Sequence, residues 1–240
     1  ASESSAAAES EQLRYRGGVR GGEGLLRDAY RPYQEAGRAG RNLAGLPNRI
    51  KVGDRIVEFE GFAPAQQLAE EYMKEAGVPY APPTAYVRVD KELAAKIADE
   101  FQRMPNAPED PLVQASYRQM MKETAAQYRK IMETGLKVEF IKGDDPYGNP
   151  RNAILDVIEN NHLWVFSTQD GFGTNKIDVS KNPLLEESEF KDINGQTMLA
   201  NDLFRVVHDY FGHIMNGVGF RADGEENAWR SHASMYSPFA

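Results

Sequence analysis

Residues 201–232 read NDLFRVVHDYFGHIMNGVGFRADGEENAWRSH, and the chain is organised around them. Of the four histidines in the protein, His208, His213 and His232 fall here, interleaved with Asp209, Asp223, Glu225 and Glu226. No other segment gathers as many side chains able to bind a metal or move a proton. Leu199, Leu203, Val206, Val207 and Tyr210 recur at helical spacing, so a helix is predicted over residues 198–213 with those five on its buried face. A second helix is predicted from Asp223 or Gly224. It places Glu225 and Glu226 in a first turn, where carboxylates suit the positive end of the helix dipole. The link at residues 216–220 turns the chain so that the two helices can pack on each other.

The spacing sets the geometry. Residues five apart lie about 140° apart around an ideal α-helix. His208 and His213 therefore share one ion only if the helix loosens near Gly212 or the ion sits off its C-terminal end. Asp209 and His213, four apart, share a face without distortion. Glu225 and His232, seven apart, do so as well. The segment thus offers His208 or Asp209, His213, one glutamate and His232 to one space. Two imidazoles and one carboxylate with open positions form the ligand set of non-haem iron oxygenases, and the same set with a water suits catalytic zinc. The expectation is a metal-dependent enzyme with His208, His213 and Glu226 as ligands to Fe(II), or alternatively Zn. Asp209, Glu225 and His232 are the catalytic candidates, serving also as alternative ligands or as partners that fix a histidine tautomer. A zinc hydrolase is the weaker alternative, because HExxH is absent.

Composition narrows the classes. Charged residues at 27% and apolar residues at 41% are ordinary for a soluble globular protein. A formal charge of −8 argues against wide nucleic-acid binding, which needs a basic face. With no cysteine, disulfides and thiolate ligands are excluded, so a metal must take His, carboxylate or carbonyl oxygen. No apolar run spans a bilayer, and the N-terminal residues lack the apolar core of a signal peptide. A location in the cytoplasm of a host cell, or in a virion, is expected.

The expected fold is α+β: mostly helical, one domain over residues 47–240 with a small mixed sheet, after a flexible arm at residues 1–46. The arm carries seven Arg, no Lys and eight Gly, too few apolar groups to repay ordering. It is the candidate contact for a homo-oligomer or a virion partner. A hairpin is predicted around Gly53-Asp54. Helices are predicted from Pro64 to Gly77, from Asp90 to about Met104 with Leu93, Ile97 and Phe101 on one face, and over residues 112–133 with an apolar stripe from Tyr117 to Met132. LKVEFI at 136–141, a helix over 150–160 and HLWVFS from His162 suggest a crossover with parallel strands. Asp144, Asp145 and Tyr147 then lie where open α/β sheets place ligands, although a simple turn is the preferred reading. A short strand is expected at 85–89. QDGFGTN at 169–175 is Gly-rich but matches no phosphate-loop pattern. Trp229 is expected in the core or a pocket wall.

From Tyr80 onward the motifs DPYGNP, HLWVFSTQDGFG, NPLL, NDLFRVVHDYFGH and GFRADGEENAWRSHASMYSPFA together resemble a family of phage and bacterial proteins of uncharacterised function. The resemblance implies no reaction, but it admits a structural or virion-associated protein without activity as the alternative to an enzyme. Members of that family continue past the segment matching SPFA, so the expectation here is a fragment, a processed product or a short member. Locally, HDYFGH resembles the iron-binding segment of the aromatic amino acid hydroxylases, in which two histidines and a later glutamate hold ferrous iron. Carried over, His208 and His213 match the histidines, and Glu226 or Glu225 stands for the glutamate. The glutamate follows sooner here, and Ile214-Met215 replaces that family's Val-Pro.

Overall fold

The structure, a computed structural model, describes residues 40–46, 49–52, 54–58, 61–171 and 182–240. It is a mostly helical α+β protein. Strands β1 (Arg49–Val52) and β2 (Arg55–Glu58) form the expected antiparallel hairpin, Arg49 opposite Glu58. Helix α1 (Ala63–Ala76) has Pro64 in its first turn, where a missing N–H costs nothing, and buries Leu68, Ala69, Tyr72 and Met73. Helix α2 (Lys91–Arg103) is capped by Asp90, whose carboxylate accepts the Leu93 N–H at 3.0 Å. Helix α3 (Pro111–Met132) is capped by Asp110.

These two helices differ from the simple amphipathic expectation. None of the residues of α2 is buried. In α3 only the C-terminal half enters the core, through Thr124, Gln127, Tyr128 and Ile131, while Tyr117 is exposed. Among the described residues the body packs against the C-terminal end of α3 and leaves the other end largely exposed.

Strand β3 (Lys137–Phe140), helix α4 (Asn152–Asn160) and strand β4 (His162–Val165) form the crossover, with β3 and β4 parallel from Lys137 opposite His162 to Phe140 opposite Val165. His162 serves this unit: Nδ1 lies 2.8 Å from Asp156 and Nε2 3.2 Å from Glu139. After a short helix α5 (Thr168–Gly171), strands β5 (Glu187–Lys191) and β6 (Thr197–Leu199) make a second antiparallel pair. Its turn covers the free edge of β3: the Ile193 N–H donates to the Val138 carbonyl at 2.9 Å, and Asp192 accepts the Phe140 N–H at 3.1 Å.

Helix α6 (Ala200–Val207) continues into a π-helix (His208–Ile214), and helix α7 (Ala222–Ala233) follows. Phe140, Ile154, Leu163, Leu203, Tyr210 and Phe211 belong to one core that joins the crossover to these last helices. The expected strand at 85–89 is reduced to a single bridge between Ala85 and Ala44. Beyond it the backbone is held by side chains of α7. Asn227 accepts the Val87 N–H at 2.9 Å and donates to the Val87 carbonyl at 2.7 Å, and Asp223 accepts the Val89 N–H at 2.9 Å.

Residues 40–46, read as the end of the arm, belong to this packed body: Leu43 is buried with Val218 and Ala228. The rest of the arm, residues 1–39, lies outside the described residues, as do residues 172–175 of the Gly-rich loop. Among the described residues, no helix is long and apolar enough to cross a membrane.

Candidate metal centre

The five-residue spacing of the two histidines is resolved by the backbone itself. From His208 to Ile214 the helix widens to the π form, whose hydrogen bonds close over five residues and bring residues five apart back toward one face. The Met215 N–H meets the Tyr210 carbonyl at 2.9 Å, and the Val218 N–H meets that of His213 at 3.1 Å. Gly212 lies within this widened turn, one of the two ways in which the spacing allowed the histidines to meet. A Cβ on Gly212 would stand 3.1 Å from the Ala228 carbonyl oxygen and 3.3 Å from His208 Nδ1, so a bare backbone lets the widened turn sit against α7.

One carboxylate oxygen faces both rings. Glu225 Oε2 lies 3.5 Å from His208 Nε2 and 3.4 Å from His213 Nε2. Ligand atoms of the three residues all fall within 4.8 Å of one another. Metal–ligand bonds of about 2.0–2.2 Å set neighbouring ligand atoms roughly 2.8–3.6 Å apart, so the two measured separations suit a shared ion. They are long for direct hydrogen bonds.

His213 is oriented for this. Its Nδ1 lies 3.1 Å from the Gly219 carbonyl and 3.4 Å from that of Val218, which accept its proton and leave the Nε2 lone pair aimed at Glu225. Phe220 stacks on the ring at 4.0 Å between centroids. The Gly219 carbonyl is itself fixed by α7, because Gly224 abuts it so closely that a Cβ there would lie 1.7 Å from the oxygen.

Burial holds the imidazoles neutral, the form that binds a metal. Desolvation lowers His208, opposed by the Glu225 charge. His213 falls to about 4, through desolvation and then the His208 charge, again opposed by Glu225. His232 is pushed well below the usual range by burial and by His208.

The other sequence-derived candidates take different places. Glu226, expected as the ligand, turns away and pairs with Arg230 at 2.7 Å. The two glutamates are neighbours and so point in different directions from the helix, and the docking of α7 selects Glu225. His232 sits behind His208 at 5.6 Å between rings, with Nε2 3.2 Å from Gln127 Oε1. Asp209, four residues before His213, would share its face in an α-helix, but the π turn brings His208 there instead. Asp209 lines a neighbouring cleft, where its carboxyl is pushed up to about 7 by desolvation first and Glu225 second, against the pull of Arg205. Trp229 is exposed rather than in the core.

That cleft, about 240 Å³, opens beyond the C-terminal ends of β3 and β4, with Trp164, Phe204 and Phe220 as apolar wall and Arg205, His208 and Asp209 as polar groups. It is smaller than the roughly 300–1,000 Å³ that holds a drug-sized ligand. Asp145 and Tyr147 also line it, but in turn-building roles. Asp145 accepts the Tyr147 N–H at 2.9 Å, and the Tyr147 hydroxyl donates to Asp156 at 2.8 Å while accepting the Trp164 N–H at 2.8 Å.

Sequence reasoning gave no site role to Phe220, the Gly219 carbonyl or Trp164. Only the glycines at 212, 219 and 224, clustered around the histidines, signalled so close a packing. No protein-family model, curated protein or solved structure matches the chain.

Proposed function

We propose that this protein is a mononuclear metal-dependent enzyme with His208, His213 and Glu225 as its ligands. The observation that carries this reading is the convergence of both Nε2 atoms on one oxygen of Glu225, with His213 held from behind through Nδ1. Fe(II) is the proposed ion and Zn the alternative, since two imidazoles and one carboxylate with open positions serve both. When bound, ferrous iron would supply oxygen activation at those open positions, and zinc would supply an acidified water.

The protein's own residues do the rest. The Gly219 carbonyl fixes the His213 tautomer, and Phe220 fixes its plane. A small substrate would enter the cleft beside His208, against Trp164 and Phe204, with Arg205 and Asp209 as its polar contacts.

Metal analysis by mass spectrometry, after anaerobic loading of the purified chain, tests the proposal. One ion per chain, lost together in His208→Ala, His213→Ala and Glu225→Ala, is expected, and iron in preference to zinc supports the oxidoreductase form. A folded preparation that takes up no iron, zinc or manganese overturns it and leaves a structural or virion-associated role.

A further inference from the structure

Helix α2 is built to be covered. Its N-terminus is capped and its thirteen residues are regular, yet none is buried. Isolated helices shorter than about 12–15 residues are marginal in water, so packing of an apolar face ordinarily sustains one of this length. That face exists. At 100° per residue, Leu93, Ile97, Phe101 and Met104 fall within an arc of about 80°. They are 53%, 60%, 74% and 65% exposed. A contiguous apolar stripe of this kind marks an interaction site rather than ordinary scattered exposure.

The flanks of the stripe say what fits. One flank holds Ala94 and Ala98, small enough for another helix to approach. The other holds Glu92, Lys96, Glu100 and Arg103 in the order minus, plus, minus, plus. A two-fold axis crossing α2 near residue 98 brings the same flank of two antiparallel copies together. Glu92 then lies opposite Arg103 of the second copy, and Lys96 opposite Glu100 of the second copy, each pair occurring twice. The charges are complementary to themselves in the antiparallel sense, the requirement of a two-fold interface. They are also free to exchange: the Glu100–Arg103 pair within one helix, at 2.9 Å, has both side chains about 70% exposed.

We propose that α2 is a self-association surface that pairs antiparallel with α2 of a second copy of this chain, through Leu93, Ile97, Phe101 and Met104 and the charged flank beside them. The occupant is a copy of the chain, because the charge order that suits the face is the order the face itself carries.

Sedimentation velocity and light scattering on the full chain test this. The wild type should be a dimer and Phe101→Asp a monomer that loses no more helical content by circular dichroism than the thirteen residues of α2 supply, since among the described residues Phe101 supports nothing else in its own chain. Lys96→Glu should weaken dimerisation roughly tenfold by setting like charges opposite each other twice. Adding Glu100→Lys should restore it. A wild-type monomer at the highest attainable concentration, its face covered by another part of the same chain, overturns the proposal. So does a dimer that survives Phe101→Asp, or a charge swap that fails to rescue.

Discussion

Helices α2 and α6 carry the same kind of apolar stripe and meet opposite fates. Leu203, Val206 and Val207 of α6 are almost wholly buried, in the core that α6 shares with α3 and with β4 of the crossover. Leu93, Ile97 and Phe101 of α2 stand in solvent. Periodicity states which face of a helix seeks cover. What covers it depends on the rest of the chain, or on another molecule. The metal-ligand candidates follow the first case: Asp202 of α6 accepts the Thr168 N–H at 2.7 Å and the Leu199 N–H at 2.7 Å, so the helix that delivers His208 is anchored before it reaches the site.

The contrast can be broken at the site end first. Glu225→Ala should lower metal affinity by more than the roughly 10–100-fold that loss of an orienting partner costs, while Glu226→Gln leaves it unchanged, as titration calorimetry of the metal-free protein would show. Equal losses from both substitutions would put the carboxylate assignment back to the undecided pair in the sequence.

Gly224→Ala comes next. A methyl group 1.7 Å from the Gly219 oxygen must displace that backbone. Thermal or denaturant unfolding should show about 2–3 kcal/mol of destabilisation, the upper end for overpacking. Metal affinity should fall as well, because the displaced carbonyl is the one that orients His213.

The third expectation concerns the body that supports the site. Desolvation pushes the Tyr80 hydroxyl up to about 12, helped by the Glu70 charge and opposed by Arg41. A pKa raised on folding favours the neutral phenol in the native state. Its contribution is fully present below the unfolded value near 10 and is lost as pH rises toward 12. Tyr80 alone should therefore account for a fall of about 2 kcal/mol across that window, beside the falls from Tyr128 and Tyr236, whose hydroxyls burial also pushes up, and Tyr80→Phe should remove its share.

The smallest effect belongs to α2. Ile97→Ser in a chain held monomeric by Phe101→Asp should change stability by less than about 0.5 kcal/mol, because among the described residues neither side chain has an intramolecular core to lose. A cost of 2 kcal/mol or more, the range of a buried large-to-small change, would mean that α2 is covered within its own chain.

Much of the fold was legible. Asp90 and Gly77 marked helix ends, and the strand–helix–strand reading with parallel strands follows from two short apolar runs on either side of a helical one. The site was legible as a neighbourhood. Three histidines among acidic residues pointed to it, and the five-residue spacing of His208 and His213 left open a loosened helix near Gly212 or an ion off its C-terminal end. Its exact membership was not legible, because Asp209 and His208 exchange places when an α turn becomes a π turn. Trp229 was misplaced for a related reason: a large apolar side chain late in α7 suggested burial, but α7 buries Gly224, Asn227, Ala228, Ser231 and His232, and Trp229 falls outside that set.

The sequence by itself determined that the protein is mostly helical, that a metal would find no thiolate ligand, and that histidines and carboxylates crowd into one segment near residues 208–232. Those properties follow from residue types and from spacings within single helices. Only the tertiary structure decided that Glu225 rather than Glu226 faces the imidazoles, that His213 is held from behind, and that no described residue buries α2. Each of these depends on how close two backbones may come, at Gly212 against Ala228 and at Gly224 against Gly219, and such distances between segments are not encoded in any local spacing.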